Sequence, residues 1–143
     1  MVYDPSSWIF AGTGVREGER FAGMVGPEYD RLNPAVPFPR PLQVLAHSPL
    51  TCDGVATFSD SAYYTVSSGA AVFASGTMRW VCAMRGPRCG HGVDRAAEQF
   101  VDRATQNVLR AFATGPAGRT HPAHANLARL RPPRIPALTK GID

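Results

Sequence analysis

The residues of this chain best placed for chemistry are two carboxylates set two apart, Glu28 and Asp30, in Met24-Val25-Gly26-Pro27-Glu28-Tyr29-Asp30. In an extended chain residues i and i+2 share a face, so both can serve one site. Such a pair can bind a metal, hold a proton between its members or grip a basic partner. Its commoner role is a solvated turn. Other combinations are weaker. Cys52, His47 and Asp53 lie close in sequence, but a catalytic triad is defined by geometry, and strand neighbours point to opposite faces. His47 reads more simply as a half-buried strand residue. His121 and His124 have a metal-binding spacing for a helix, with Pro122 between them against a long one. Cys82 and Cys89-Gly90-His91 lack the tight Cys-x-x-Cys pairs of a structural zinc site. Gly12, Gly14 and Gly18 imitate a dinucleotide loop, yet Gly18, Gly23, Gly26 and Pro27 break the helix that such a loop needs. There is no Gly-x-Ser-x-Gly elbow and no His-Glu-x-x-His.

The elements that must position these residues follow from pattern. Trp8 to Ala11 read as a short apolar strand stopped by Gly12. Residues 33–41 hold four prolines and form a stiff extended loop. Strands follow over Leu42–Ala46, weakly over Val55–Phe58, and strongly over Ala62–Val66. Ser67-Ser68-Gly69 turns the last of these into Ala70–Ala74, the firmest hairpin in the chain. Met78 to Met84 continues in strand-like character. Asp94 can cap a helix whose apolar stripe is Phe100, Ala104, Val108, Ala111 and Phe112. Gly115-Pro116 ends it. The expected fold class is α/β, a mixed sheet carrying a C-terminal amphipathic helix. Residues 1–115 form the domain, and 116–143, with five prolines and five basic residues, read as a disordered or wrapping tail.

Composition narrows the function classes. The 143 residues suffice for one domain, and the 44% hydrophobic fraction can fill a core. The charged fraction of 18% is below the usual quarter or so, which suggests a surface partly covered by other protein. Basic and acidic residues balance over 1–115, so the net charge of +4 belongs to the tail and does not mark a nucleic-acid-binding face. No apolar run is long enough to span a membrane, and the first residues do not resemble a secretory signal. A cytoplasmic location is therefore expected, and three cysteines there default to free thiols.

Several stretches in order are similar to the C-terminal part of the large (β) subunit of N,N-dimethylformamidase and its relatives. They are Trp8–Gly14, Val25–Asp30, Val44–Ser48 and Ser68–Trp80, with Ala104–Leu109 matching the end of that domain. The resemblance covers residues 8–114. It implies part of a domain similar to class I glutamine amidotransferases, belonging to a longer subunit that hydrolyses a small formamide. It implies an iron held by two tyrosines and a glutamate, with Glu28 standing in the glutamate's motif and Asp30 as a second acidic group. The tyrosines are expected upstream of Trp8, in sequence this chain lacks; Tyr63 and Tyr64 match a strand instead. The chain thus reads as a C-terminal fragment or truncated relative of a metal-dependent amide hydrolase, inactive until another segment or subunit completes its site. The alternative is a non-catalytic interaction or structural module that keeps the fold.

Overall fold

The computed structural model describes residues 1–26, 28–33 and 35–130. Three strands, β1 (Leu42–Cys52), β2 (Val55–Thr65) and β3 (Ala71–Ala74), form one sheet in the order β1-β2-β3. Both pairings are antiparallel, so the expected mixed sheet is not found among the described residues. The reason is local. Asp53 and Gly54 both have positive φ (49° and 77°), the conformation of a two-residue hairpin turn, and this turn folds β2 straight back on β1. The expected β2–β3 hairpin is present, with Ala62 opposite Ala74 and Thr65 opposite Ala71.

Helices α1 (Arg79–Ala83), α2 (Arg95–Ala113) and α3 (Ala117–Thr120) follow the sheet. Residues 79–83 are helical where a strand was expected, because Thr77 Oγ1 accepts the Arg79 N–H at 3.2 Å and starts a helical turn. Trp8–Phe10 form a 3-10 turn and no strand, with Ser7 accepting from the Ile9 N–H. Asp94 caps α2 as expected, accepting from Ala97 N–H at 2.8 Å. The buried stripe of α2 is Ala97, Phe100, Val101, Ala104 and Val108. Phe112, expected at its end, is 39% exposed.

The sheet separates two apolar clusters. The larger joins Ile9, Phe10, Leu45, Tyr63 and Trp80 to the α2 stripe. Phe100 is its hub, with ring centroids 4.5 Å from Phe21, 5.1 Å from Phe10 and 5.9 Å from Trp80. The smaller contains Leu42, Val44 and Ala62, with Leu32, Phe38, Leu127 and Leu130 packed against it. Val44 and Leu45, neighbours on β1, face opposite sides of the sheet, and because both faces are covered each is fully buried, one in each cluster. Cys82 and Cys89 are joined in a disulfide, which corrects the free-thiol expectation for those two; Cys52 is free and exposed.

Residues 116–130 wrap over this body. Ala117, Ala123 and Asn126 are buried, and the His121 ring stacks on Trp8 at 4.3 Å. Asn126 reads both backbone groups of Val44, accepting its N–H at 2.7 Å and donating to its carbonyl at 2.9 Å. A strap of short apolar residues with one well-placed amide can dock in spite of its prolines. Residues 131–143, the rest of the expected tail, lie outside the described residues.

Phe100→Ala should cost ~3–5 kcal/mol in urea unfolding, as expected for a large buried side chain. Phe112→Ala should cost less than ~1 kcal/mol, and equal losses would mean that the helix is rotated from its described face. Asn126→Ala strands an N–H and a carbonyl on β1 at ~1–3 kcal/mol each, so a total loss of about 2–6 kcal/mol is expected in the same assay.

Candidate functional site

Asp60, in the middle of β2, organises the region around the acidic pair. The two-residue turn at 53–54 sets the register that places His47 opposite Asp60. His47 Nδ1 lies 2.7 Å from Asp60 Oδ1, and the two side chains are only 8% and 2% exposed. The other carboxylate oxygen accepts the Leu32 N–H at 2.9 Å. The Asp60 N–H donates to the Asp30 carbonyl at 3.0 Å, and the Asp30 N–H donates to the Gly76 carbonyl at 3.0 Å. Tyr29 forms a β-bridge with Thr77, and the Arg31 guanidinium donates to Thr57 Oγ1 at 3.2 Å. Gly76 has φ +74°, and a Cβ there would run into the Asp60 carbonyl, so glycine alone permits this approach. Residues 29–32 are thereby fastened to the sheet at four successive positions.

Glu28 and Asp30 are both exposed and flank the half-buried Tyr29. Neither carboxylate makes a hydrogen bond or ion pair to another described side chain. No group of three His, Cys, Asp or Glu comes together among the described residues. Tyr3 and Tyr63 direct their hydroxyls to the carbonyls of Asn126 (3.5 Å) and His121 (2.8 Å). A hard cation such as ferric iron wants several anionic oxygens. The described residues do not make such a set by themselves; they offer the Glu28/Asp30 pair alone.

The other expected combinations come apart. Cys52 and Asp53 sit at the far end of β1 and in its turn, five residues or about 16 Å along the strand from His47. His47 is committed to Asp60, a partner that sequence reasoning missed. The signal was present in Asp53-Gly54: once this dipeptide is taken as the turn, counting back along both strands pairs His47 with Asp60. His121 and His124 share no site. His121 stacks on Trp8, and His124 Nε2 lies 3.0 Å from Asp4 Oδ2.

A second polar network centres on Asp4. Its carboxylate accepts from Ser6 (2.6 Å) and Gln43 (2.8 Å) and is approached by His124 and Asn126. Burial pushes the Asp4 carboxyl up, but the hydrogen bonds from Ser6, Gln43 and His124 outweigh it and hold the group below its usual 3.8. For Asp60 burial dominates and raises the carboxyl above that value, the bonds from His47 and Leu32 offsetting only part.

A family model described as N,N-dimethylformamidase beta subunit-like, C-terminal matches residues 1–95, a span that includes Glu28, Asp30, His47 and Asp60. No curated protein and no solved structure matches the chain.

The two shifted carboxyls act on stability with opposite signs. The lowered Asp4 contributes stability that is complete above its unfolded pKa near 3.8 and lost as pH falls through the lower folded value. The raised Asp60 binds its proton more tightly when folded, so its contribution declines as pH rises from the unfolded value through the folded one. Urea midpoints followed across the acidic range should therefore show the advantage of the wild type over Asp4→Asn shrinking on acidification. Its standing relative to Asp60→Asn should improve. Curves that stay parallel to wild type would show that neither carboxyl is shifted.

Proposed function

Because the chain belongs to the N,N-dimethylformamidase beta subunit-like, C-terminal family, we propose that it is the carboxylate-bearing portion of a metal-dependent amide hydrolase. It is inactive alone and is completed by another segment or subunit. The observation that carries this reading is the state of Glu28. It falls within the matched span, it is exposed, and the residues that follow it are fastened to the sheet through Tyr29, Asp30 and Leu32. A side chain that adjoins a fastened backbone yet is unpaired among the described residues suits a ligand donated to a shared centre.

On this reading Glu28 provides one anionic oxygen, Asp30 adds negative charge beside it, and the remaining donors come from outside this chain. Iron, when bound, would polarise the amide carbonyl as a Lewis acid. The three antiparallel strands then form one part of a larger amidotransferase-like domain. A cytoplasmic location belongs to the same reading; among the described residues no helix is long and apolar enough to cross a membrane. The Cys82–Cys89 disulfide weighs against it, since such bonds persist mainly in oxidising compartments.

A non-catalytic interaction module is the second reading. It is favoured by the large apolar side chains that α1, its N-cap and α2 expose, with Met78 67%, Val81 70% and Leu109 62% accessible. It is also favoured by the incomplete ligand set.

The isolated chain should carry no stoichiometric iron and hydrolyse no formamide. Purified with its companion protein from the native cell, it should hold iron, and Glu28→Gln should lower both iron content and turnover at least ~10-fold, the loss expected when a ligand to the metal is removed. The circular dichroism spectrum should stay unchanged. Retention of iron and rate by that variant would overturn the assignment of Glu28. A native complex with neither iron nor turnover would favour the interaction module.

A further inference from the structure

The cavity of about 220 Å³ on the His47 side of the sheet has no part in the iron reading. Leu32 and Phe38 line it from the loop before β1, Phe58 from β2, and Leu127 and Leu130 from the C-terminal strap. The polar groups at its wall are those of His47 and Asp60. Both Asp60 oxygens are already engaged, one by His47 and the other by the Leu32 N–H. In the tautomer whose Nδ1–H donates to this carboxylate, Nε2 carries a lone pair that can accept. Nε2 has no hydrogen bond to any described residue. An imidazole that is 92% buried, with one nitrogen on a carboxylate and the other without a partner among the described residues, therefore lines an otherwise apolar chamber.

We propose that this chamber binds a small ring-sized molecule with one hydroxyl, the ring lying among the leucines and phenylalanines and the hydroxyl donating to His47 Nε2. Size and chemistry lead to the same occupant. A dry apolar cavity of about 150 Å³ is enough to hold benzene, so 220 Å³ accommodates a six-membered ring with a further substituent. The walls reward an apolar body, with Phe58 already 5.0 Å from the His47 ring. A single open acceptor satisfies one donor, and a ligand with several polar groups would bury the rest unpaired. A charged ligand would meet no counter-charge, because Asp60 is spent on His47 and Leu32.

Phenol and anisole share a ring and differ in the ability to donate. Titrated into the full-length chain and followed by amide and side-chain NMR shifts, phenol should saturate with changes at His47, Phe58 and Leu127. It should bind about tenfold tighter than anisole, the effect of one buried hydrogen bond. His47→Phe should remove that preference while the ring still binds, and His47→Gln, which keeps an acceptor, should retain part of it. Equal affinity for phenol and anisole, or no saturable shift at these residues, overturns the proposal. If His47→Phe fails to fold, the wild-type comparison of the two ligands decides the matter.

Discussion

A buried carboxylate on the central strand is the constraint on which this structure turns. Asp60 is 2% exposed in its side chain, and taking such a group out of water is costly unless its oxygens find donors. Both do: His47 approaches one and the Leu32 N–H the other. Its backbone N–H holds Asp30, and its carbonyl sets how closely Gly76 can pass. Among residues 29–32, the Asp30 carbonyl and the Leu32 N–H both attach to Asp60, one to its backbone and one to its side chain. Asp60 and Glu28 thus divide the work. The first is enclosed and spent on architecture, and the second is exposed and makes no ion pair with any described residue.

The Asp4 network does at the chain ends what Asp60 does in the middle. Residues near both ends of the described chain converge on β1, with Asp4 and Asn126 hydrogen-bonded to each other and to Gln43 or Val44 of that strand. The shared carboxylate is short of water and rich in donors, and the donors prevail, as its lowered pKa records. Segments more than a hundred residues apart are in this way made part of one cooperative unit. The same strap supplies Leu127 and Leu130, so the small cavity beside His47 exists only while that unit is intact.

What was legible in the sequence was local. The cap at Asp94 and the turn at Ser67-Ser68-Gly69 depend on neighbours a few residues away, and their partners are where the pattern puts them. Short apolar runs were ambiguous. Trp8–Phe10 and Arg79–Ala83 have strand-like composition, yet Ser7 and Thr77 hydroxyls tip them into helical turns. Ser59, Asp60 and Ser61 hid the strength of β2, because polar residues in a row do not suggest a fully buried strand. Their satisfaction comes from Gly76, His47 and Ala74, contacts that exist only once the sheet has formed. The family resemblance was legible from motifs. The enclosure of His47 and the docking of residues 116–130 were not, since both depend on long-range packing.

The amide of Asn126 has a consequence for the sheet as a whole. By answering the Val44 N–H and carbonyl together, it imitates a neighbouring strand, and the backbones of Met1, Val2, Tyr3 and Asp4 continue that imitation along His47, Ala46 and Leu45. Over Val44–His47 the β1 flank is therefore occupied and offers no unpaired groups to another chain. At the opposite edge β3 has only four residues, which give such a visitor little to grip. One edge is thus partly closed by a side chain and the chain's first residues and the other is kept short, and both devices guard against fibrous growth.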